Sequence, residues 1–388
     1  MAMASVTSRV GRDGKARYDV RFRDPNGVQR KRSFARKRDA VDYAASVGTD
    51  KLRGAYVDRN AGRETFRTFA DRWLAAQMFA PSTRTRVASD LRNHIYPTLG
   101  DKPLSAIKPS TVQAWARSLS SLAPNTQHQI FGYVGTILSA AVDDQLVTRN
   151  AARTPSVRRP RKDKTRIRPW PRERVPVLAQ ALPDRYAVVV AIGAGLGLRQ
   201  GEIFGLAFED VDFLRREVTV RRQVQLADSQ LVFAPPKYGK ERTIPLAPHV
   251  ADALAAHVAR IPPLQCTLPW VEPAGRLEAA SLICSTREHK PINRNYFNTV
   301  WRKALIRIGV TPTRQDGCHA LRHLFASVLL DAGESIKVVS EYLGHSDPGF
   351  TLRTYTHVMP DTRARSLRAI DAVFATNSAM DVPSDRLA

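Results

Sequence analysis

CHALRHLFASVLLDAGESIKVVSEYLGHSDPGFTLRTYTHV, residues Cys318–Val358, is the stretch around which this chain is organised. It holds a His-x-x-Arg pair (His319 and Arg322), then Leu343-Gly344-His345, then Tyr355 ten residues further on. Arg, His and Tyr are not needed for a core at those places. Together they are the parts for attacking a phosphodiester: a hydroxyl nucleophile, a fixed cation for the phosphate oxygens, and imidazoles that hydrogen-bond and move protons. The periodicity predicts helices over His319–Ala332 and Ile336–Leu343, with Gly344 ending the second in the left-handed conformation. On the first helix His319 and Arg322 fall one turn apart on one face.

The same helix places His319 and His323 at i, i+4, the spacing of a helical zinc site. Ala320 stands where H-E-x-x-H needs a glutamate, so no metal is expected. A lone Tyr is more often a core residue with a satisfied hydroxyl, so the argument rests on the set.

Upstream, Gly193-Ala-Gly195-Leu-Gly197-Leu-Arg199 imitates a dinucleotide-binding loop. The third glycine of G-x-G-x-x-G would fall at Leu198, and no βαβ pattern surrounds it. The bland reading is a charged helix start at Arg199 and Glu202 after an apolar helix. Pro236–Leu246 (PKYGKERTIPL) reads as a turn between two strands carrying Lys237 and Lys240, and lysines on surface turns are common.

Lys and Arg number 60 against 36 Asp and Glu, a net charge of +24 over 388 residues. Such an excess calls for a polyanion, nucleic acid first and a membrane surface second. No run spans a bilayer, no signal peptide stands at Met1–Val10, and three cysteines without C-x-x-C exclude a disulfide framework. A cytoplasmic, DNA-associated protein follows as the expectation.

Residues 1–60 read as a separate unit. Tyr18, Val20 and Phe22 alternate with Asp19, Arg21 and Arg23, Asn26-Gly27 signals a hairpin, and a strand and a helix follow. RKRSFARKR carries six cations in nine residues: Arg30, Lys31, Arg32, Arg36, Lys37 and Arg38. A solvated, aggregation-blocking edge is the plain reading; with this net charge a DNA-contacting surface is preferred. Residues 61–152 read as all-helical, with Ser82 capping a helix through Val87, Leu91 and Ile95. Residues 153–172 form a Pro-interrupted basic linker including Arg158, Arg159, Arg161 and Lys162, suited to tracking phosphates. Residues 173–375 are mixed α and β, with strands over Glu217–Val224, Gln230–Ala234 and Arg242–Leu246. Residues 376–388 are a polar tail.

On these motifs the chain resembles the tyrosine recombinases, the phage integrases in particular. A-G-L-G-L-R-Q-G-E-I is similar to their T-G-L-R-x-G-E motif, and R-T-I-P-L to the strand that follows their hairpin lysine. The resemblance implies a multidomain α+β protein: a small N-terminal sheet plus helix that binds arm sites, an all-helical core-binding domain, and a mixed α/β catalytic domain. It makes Tyr355 the nucleophile that leaves a 3′-phosphotyrosine, with Tyr342 and Tyr238 next in line. Arg199 and Arg322 would hold the non-bridging oxygens, and Glu202 would support them. Lys237 would protonate the leaving 5′-oxygen, with Lys240 its local competitor. His319 and His345 would bond the phosphate, His319 taking the tyrosine proton. No metal, ATP or other cofactor is implied. The implied partners are double-stranded DNA at attachment sites and three further protomers, and the scheme admits a host DNA-bending protein and an excisionase. A type IB topoisomerase would share the chemistry, a DNA-binding regulator the charge alone, and a metal-dependent nuclease would need clustered carboxylates.

Overall fold

The computed structural model describes residues 4–10, 13–24, 27–52, 61–163 and 168–355, with Leu367, Ile370 and Asp371 beyond them. The chain forms two compact units, Met1–Lys164 and Thr165–Ala388, so the division falls inside the basic linker. The polar tail and Asn26 of the hairpin turn lie outside the described residues.

The first unit opens with an antiparallel sheet of β1 (Ser5–Val10), β2 (Ala16–Arg23) and β3 (Gln29–Phe34), with β2 in the middle. Alternation puts Val20 and Phe22 on one side, where α1 (Lys37–Leu52) covers them with Ala40 and Val47. Cross-strand register then decides where each cation goes. Arg30 and Arg32 lie opposite Phe22 and Val20, on the helix side. Lys31 lies opposite Arg21, on the open side. That open face carries Arg9, Arg17, Arg21, Arg23 and Lys31 around one buried acid, Asp19, bonded to Lys31 at 2.8 Å and Arg9 at 3.0 Å.

A second core in the same unit gathers α2 (Phe66–Ala76), α3 (Pro81–Asp90), α4 (Pro109–Ser118) and α5 (Pro124–Asp143) around Leu91, Ile95, Trp115 and Phe131. Three of these helices begin with proline, whose missing N–H costs nothing in the first turn. Ser82 is therefore not the cap of α3: Pro81 starts the helix and Ala80 precedes it. Beyond α3 the chain stays helical but more widely wound over Leu91–Gly100, which accommodates Pro97. The linker runs against α5, where Pro160 O lies 2.8 Å from His128 Nδ1. Arg158, Arg159, Arg161 and Lys162 are all exposed.

The second unit runs α6 (Arg174–Ala181), α7 (Asp184–Leu196), α8 (Gln200–Gly205), β4 (Val211–Asp212), β5 (Glu217–Val220), β6 (Gln223–Ala227), β7 (Gln230–Ala234), β8 (Arg242–Pro245), α9 (Pro248–Arg260), β9 (Leu264–Pro269), β10 (Leu277–Leu282), α10 (Arg294–Arg307), α11 (His319–Asp331), α12 (Ile336–Leu343) and α13 (Pro348–Tyr355). Helix α7 is the central rod, burying Val188, Val189, Val190, Ile192 and Leu196. Its glycines serve packing. A Cβ on Gly193 would stand 2.6 Å from the Leu321 side chain of α11, and Gly197 ends the helix at φ 64°.

The strands pair differently from the simple hairpin expected. Glu217–Val224 is two strands: β5 joins β4 and β8, whereas β6 pairs with β7. The Lys237 segment consequently crosses from one small sheet to another. Strands β9 and β10 form a hairpin that the sequence pattern did not reveal.

Candidate active site

Arg199 precedes α8 in an extended conformation, directly after the left-handed Gly197 and Leu198. Its backbone N–H donates to Glu202 Oε2 at 2.9 Å and its Nη1 to Oε1 at 2.8 Å. Glu202 is fully buried and also takes Arg242, Nη2 at 2.6 Å from Oε2 and Nη1 at 3.2 Å from Oε1. Burial alone pushes the pKa of this carboxyl up. The hydrogen bonds and charge of Arg242, with the charge of Arg199, outweigh it and hold the pKa at about 2.

Arg322, on the first turn of α11, is 1% exposed. Nη1 donates to Gly197 O at 2.8 Å and Nη2 to Leu343 O. Arg242 Nε donates to Tyr342 O at 2.7 Å, and Arg199 Nη2 to Gly344 O at 3.0 Å. Three successive carbonyls at the end of α12 thus hold three arginines. Those carbonyls lack partners within their own helix and form its negative pole, so guanidinium groups satisfy both deficits. Burial, then repulsion from Arg199, pushes the Arg322 pKa down to about 9, a charge that an anion in front of it would relieve.

Arg199, Lys237, Tyr238, His319, Arg322 and His345 line one open pocket of about 470 Å³, with Ser346, Asp347, Phe350 and Arg353 at its rim. The His345 Nδ1 lies 2.7 Å from Thr351 Oγ1. Burial first, and then neighbouring positive charge, lowers the pKa of His319 and of His345 to about 3. Both rings are neutral at pH 7 and able to accept or donate one hydrogen bond per nitrogen. Lys237 is exposed in the pocket with Nζ 5.2 Å from the Tyr238 ring centre. The pocket walls are cationic, the dress of an anion site.

Tyr355, the last residue of α13, does not line this pocket. It is 1% exposed, and its hydroxyl lies 2.7 Å from His323 Nδ1. Burial raises its pKa to about 12. The histidine on the tyrosine hydroxyl is therefore His323, not His319. Sequence reasoning saw His323 only as a false zinc ligand and passed over Arg242. The adjacency of His323 to Arg322 was the available signal; nothing local in R-T-I-P-L marks Arg242 as a partner of Glu202.

The basic residues of the first unit are less alike than their run suggested. Arg30 bonds Asp24 at 2.9 Å, and Arg32 lies over the rings of Phe34 and Tyr43 at 4.9 and 4.4 Å. Arg36, Lys37 and Arg38 are exposed.

The profile of the phage integrase family matches residues 173–361, and that of the phage integrase central domain matches residues 66–156. The integrase of Mycobacterium phage FRAT1 is 25% identical over 292 residues, 74% of this chain and 83% of its own length. The Tn1549 transposon integrase, solved in complex with transposon right end DNA, superposes with a TM-score of 0.65 at 18% identity over 80% of this chain and all of that one. A lambda integrase tetramer bound to a Holliday junction gives 0.58 at 17% identity, covering 88% and 96% of the two chains. Among the described residues, no helix is long and apolar enough to cross a membrane.

Proposed function

Because the chain belongs to the tyrosine recombinase family, that of the phage integrases, we propose that it is a site-specific recombinase that integrates a mobile element such as a prophage by cutting and rejoining DNA through a 3′-phosphotyrosine. The observation that carries this reading is the cationic pocket shared by Arg199, Lys237, His319, Arg322 and His345, with the Tyr355 hydroxyl of α13 bonded to His323 on α11, the helix that carries His319 and Arg322. Tyr355 attacks the scissile phosphorus. Arg199 and Arg322 take the non-bridging oxygens and stabilise the charge that grows on them. Their geometry is fixed beforehand by Glu202 and by the carbonyls of α12, so little reorganisation is left for the reaction. Lys237 gives a proton to the departing 5′-oxygen. The phosphotyrosine conserves the bond energy, and attack by a new 5′-hydroxyl completes the exchange without ATP or metal.

The partners follow from the same reading. Double-stranded attachment sites are the substrate, a reading supported by the Tn1549 transposon integrase solved in complex with transposon right end DNA. Four protomers act together, as in the lambda integrase tetramer on a Holliday junction. A host DNA-bending protein and an excisionase are accessory candidates, and the protein works at the nucleoid. Residues 1–60 take arm sites, 61–152 the core site and 173–375 the chemistry; the three separate hydrophobic cores support this division.

The deciding test is covalent trapping on a nicked attachment site in EDTA without ATP. An adduct is expected from the natural protein and none from Tyr355→Phe, whose DNA binding persists. An adduct of undiminished yield in Tyr355→Phe would transfer the role to another tyrosine, Tyr238 in the pocket first.

A further inference from the structure

We propose that His323 is the catalytic base of the strand cleavage, taking the phenolic proton of Tyr355 on Nδ1 as the oxygen attacks phosphorus. The inference rests on Tyr355 being the nucleophile. It is carried by geometry. His323 Nδ1 is 2.7 Å from the reacting oxygen, and the two rings stand 5.8 Å apart at 59°. His319 faces the pocket instead and meets His323 edge to face, with ring centres 4.6 Å apart. A base has to be within hydrogen-bond reach of the proton it removes, and in this structure that group is His323.

The surroundings keep the ring unprotonated and able to accept. His319 on α11 and Tyr355 on α13 contact the His323 ring, and Arg322 on α11 and His345 after α12 are the further titratable or charged groups close enough to act on it electrostatically. Burial first, and the Arg322 charge second, lower its pKa to about 4. The ring is therefore neutral at pH 7, and an Nδ1 that accepts from Tyr355 leaves its proton on Nε2. Burial holds the phenol un-ionised, so spontaneous tyrosinate is scarce and attack needs an acceptor. Because His323 follows Arg322 in the same helix, acceptor and phosphate cation are carried by one rigid element.

The step balances. An oxygen lone pair of Tyr355 forms the O–P bond while the P–O5′ bond breaks. The phenolic proton passes to His323, which becomes imidazolium, and Lys237 supplies a proton to the 5′-oxygen. On rejoining, Lys237 takes the proton of the incoming 5′-hydroxyl as it attacks phosphorus, and His323 returns its proton to the departing tyrosine oxygen.

The test compares single-turnover cleavage rates of the full-length protein and its His323→Asn, His323→Gln and His319→Gln variants, on a nicked site, from pH 6 to 9. Asn can accept the tyrosine hydrogen bond without taking its proton, which separates holding from proton removal. Both His323 variants should bind DNA normally and cleave about 10²–10⁴-fold more slowly at pH 7. Their rates should climb towards tenfold per pH unit, since only tyrosinate remains competent, whereas the natural protein stays nearly flat. A 5′-bridging phosphorothiolate, whose leaving thiolate needs no proton, should rescue Lys237→Ala but not His323→Asn. Wild-type rate and profile in His323→Asn would overturn the proposal. So would a tenfold-per-pH-unit dependence in His319→Gln itself, an outcome that can be read even if the His323 variants fail to fold. Either result leaves the Tyr355 assignment standing, because Tyr355→Phe is scored separately by loss of adduct.

Discussion

Glu202 grips Arg242 through both carboxylate oxygens, at 2.6 and 3.2 Å, in a place where Glu202 is fully buried and Arg242 nearly so. Arg242 comes from β8 and Glu202 from α8, so the pair ties the sheet beneath the pocket to the helix that presents Arg199. Removing Arg242 takes away two charge-assisted bonds and leaves the buried Glu202 carboxylate with Arg199 as its remaining cation. Arg242→Met should destabilise the unit that contains it by about 3–5 kcal/mol, measured by chemical denaturation of the full chain. Arg242→Lys should fall between, since an ammonium cannot reproduce the paired bonds. Adduct formation should drop more than DNA affinity. A variant as stable and as active as the natural protein would show the pair to be dispensable.

The same carboxylate predicts an acid limb. Its pKa falls from 4.5 in the unfolded chain to about 2 in the folded one. Folding therefore favours the ionised form. The stabilisation is complete above about pH 5 and drains away as pH falls through 4.5 towards 2. Glu202→Gln lowers stability at pH 7 and removes this contribution to the slope. Thermal unfolding at pH 7, 5, 4 and 3 should show the natural protein converging on the variant as pH drops. Parallel curves would mean that the charge of Glu202 contributes nothing.

In the N-terminal sheet the prediction concerns faces. Arg21 and Arg23 project from the open face with Arg9, Arg17 and Lys31, whereas Arg32 covers the rings of Phe34 and Tyr43. Each lost phosphate contact should reduce the salt dependence of DNA binding by about one unit of log–log slope. Arg21→Ala and Arg23→Ala should each do so with the fold intact. Arg32→Ala should leave the slope nearly unchanged and lower stability instead. Titrations of the full chain on arm-site DNA at several salt concentrations decide it, and equal slopes for all three variants would refute the assignment of faces.

What could be read in advance, and what could not, follows from the physics of each signal. The pocket residues were legible because the chemistry demands particular side chains, and no others, at fixed intervals along α11 and α12. The strands β5, β7 and β8 were legible as strands, since alternation is local. Their partners were not, because pairing is a tertiary choice, and so Lys237 was assigned to a hairpin that does not exist. The Arg30–Arg38 run hid its own division because a pleat sends neighbouring charges to opposite faces, whatever their sign. Helix α13 escaped notice since Pro348 reads as a break, although proline suits a first turn. The Tyr355–His323 contact joins residues 32 positions apart, and the one hint of it in the sequence is the adjacency of His323 to Arg322.

The three carbonyls of Tyr342, Leu343 and Gly344 set a ruler. Successive α-carbons lie about 3.8 Å apart whatever the residues, so the separation of Arg242, Arg322 and Arg199 is graduated in peptide units. Side chains around the pocket can be exchanged without altering that scale. Inserting or deleting a single residue in α12 near its end would shift every graduation at once and hand each arginine its neighbour's mark. The spacing of the three arginines is thus insensitive to which side chains stand at the end of α12 and sensitive to its length, an asymmetry that a designer of altered recombinases can use.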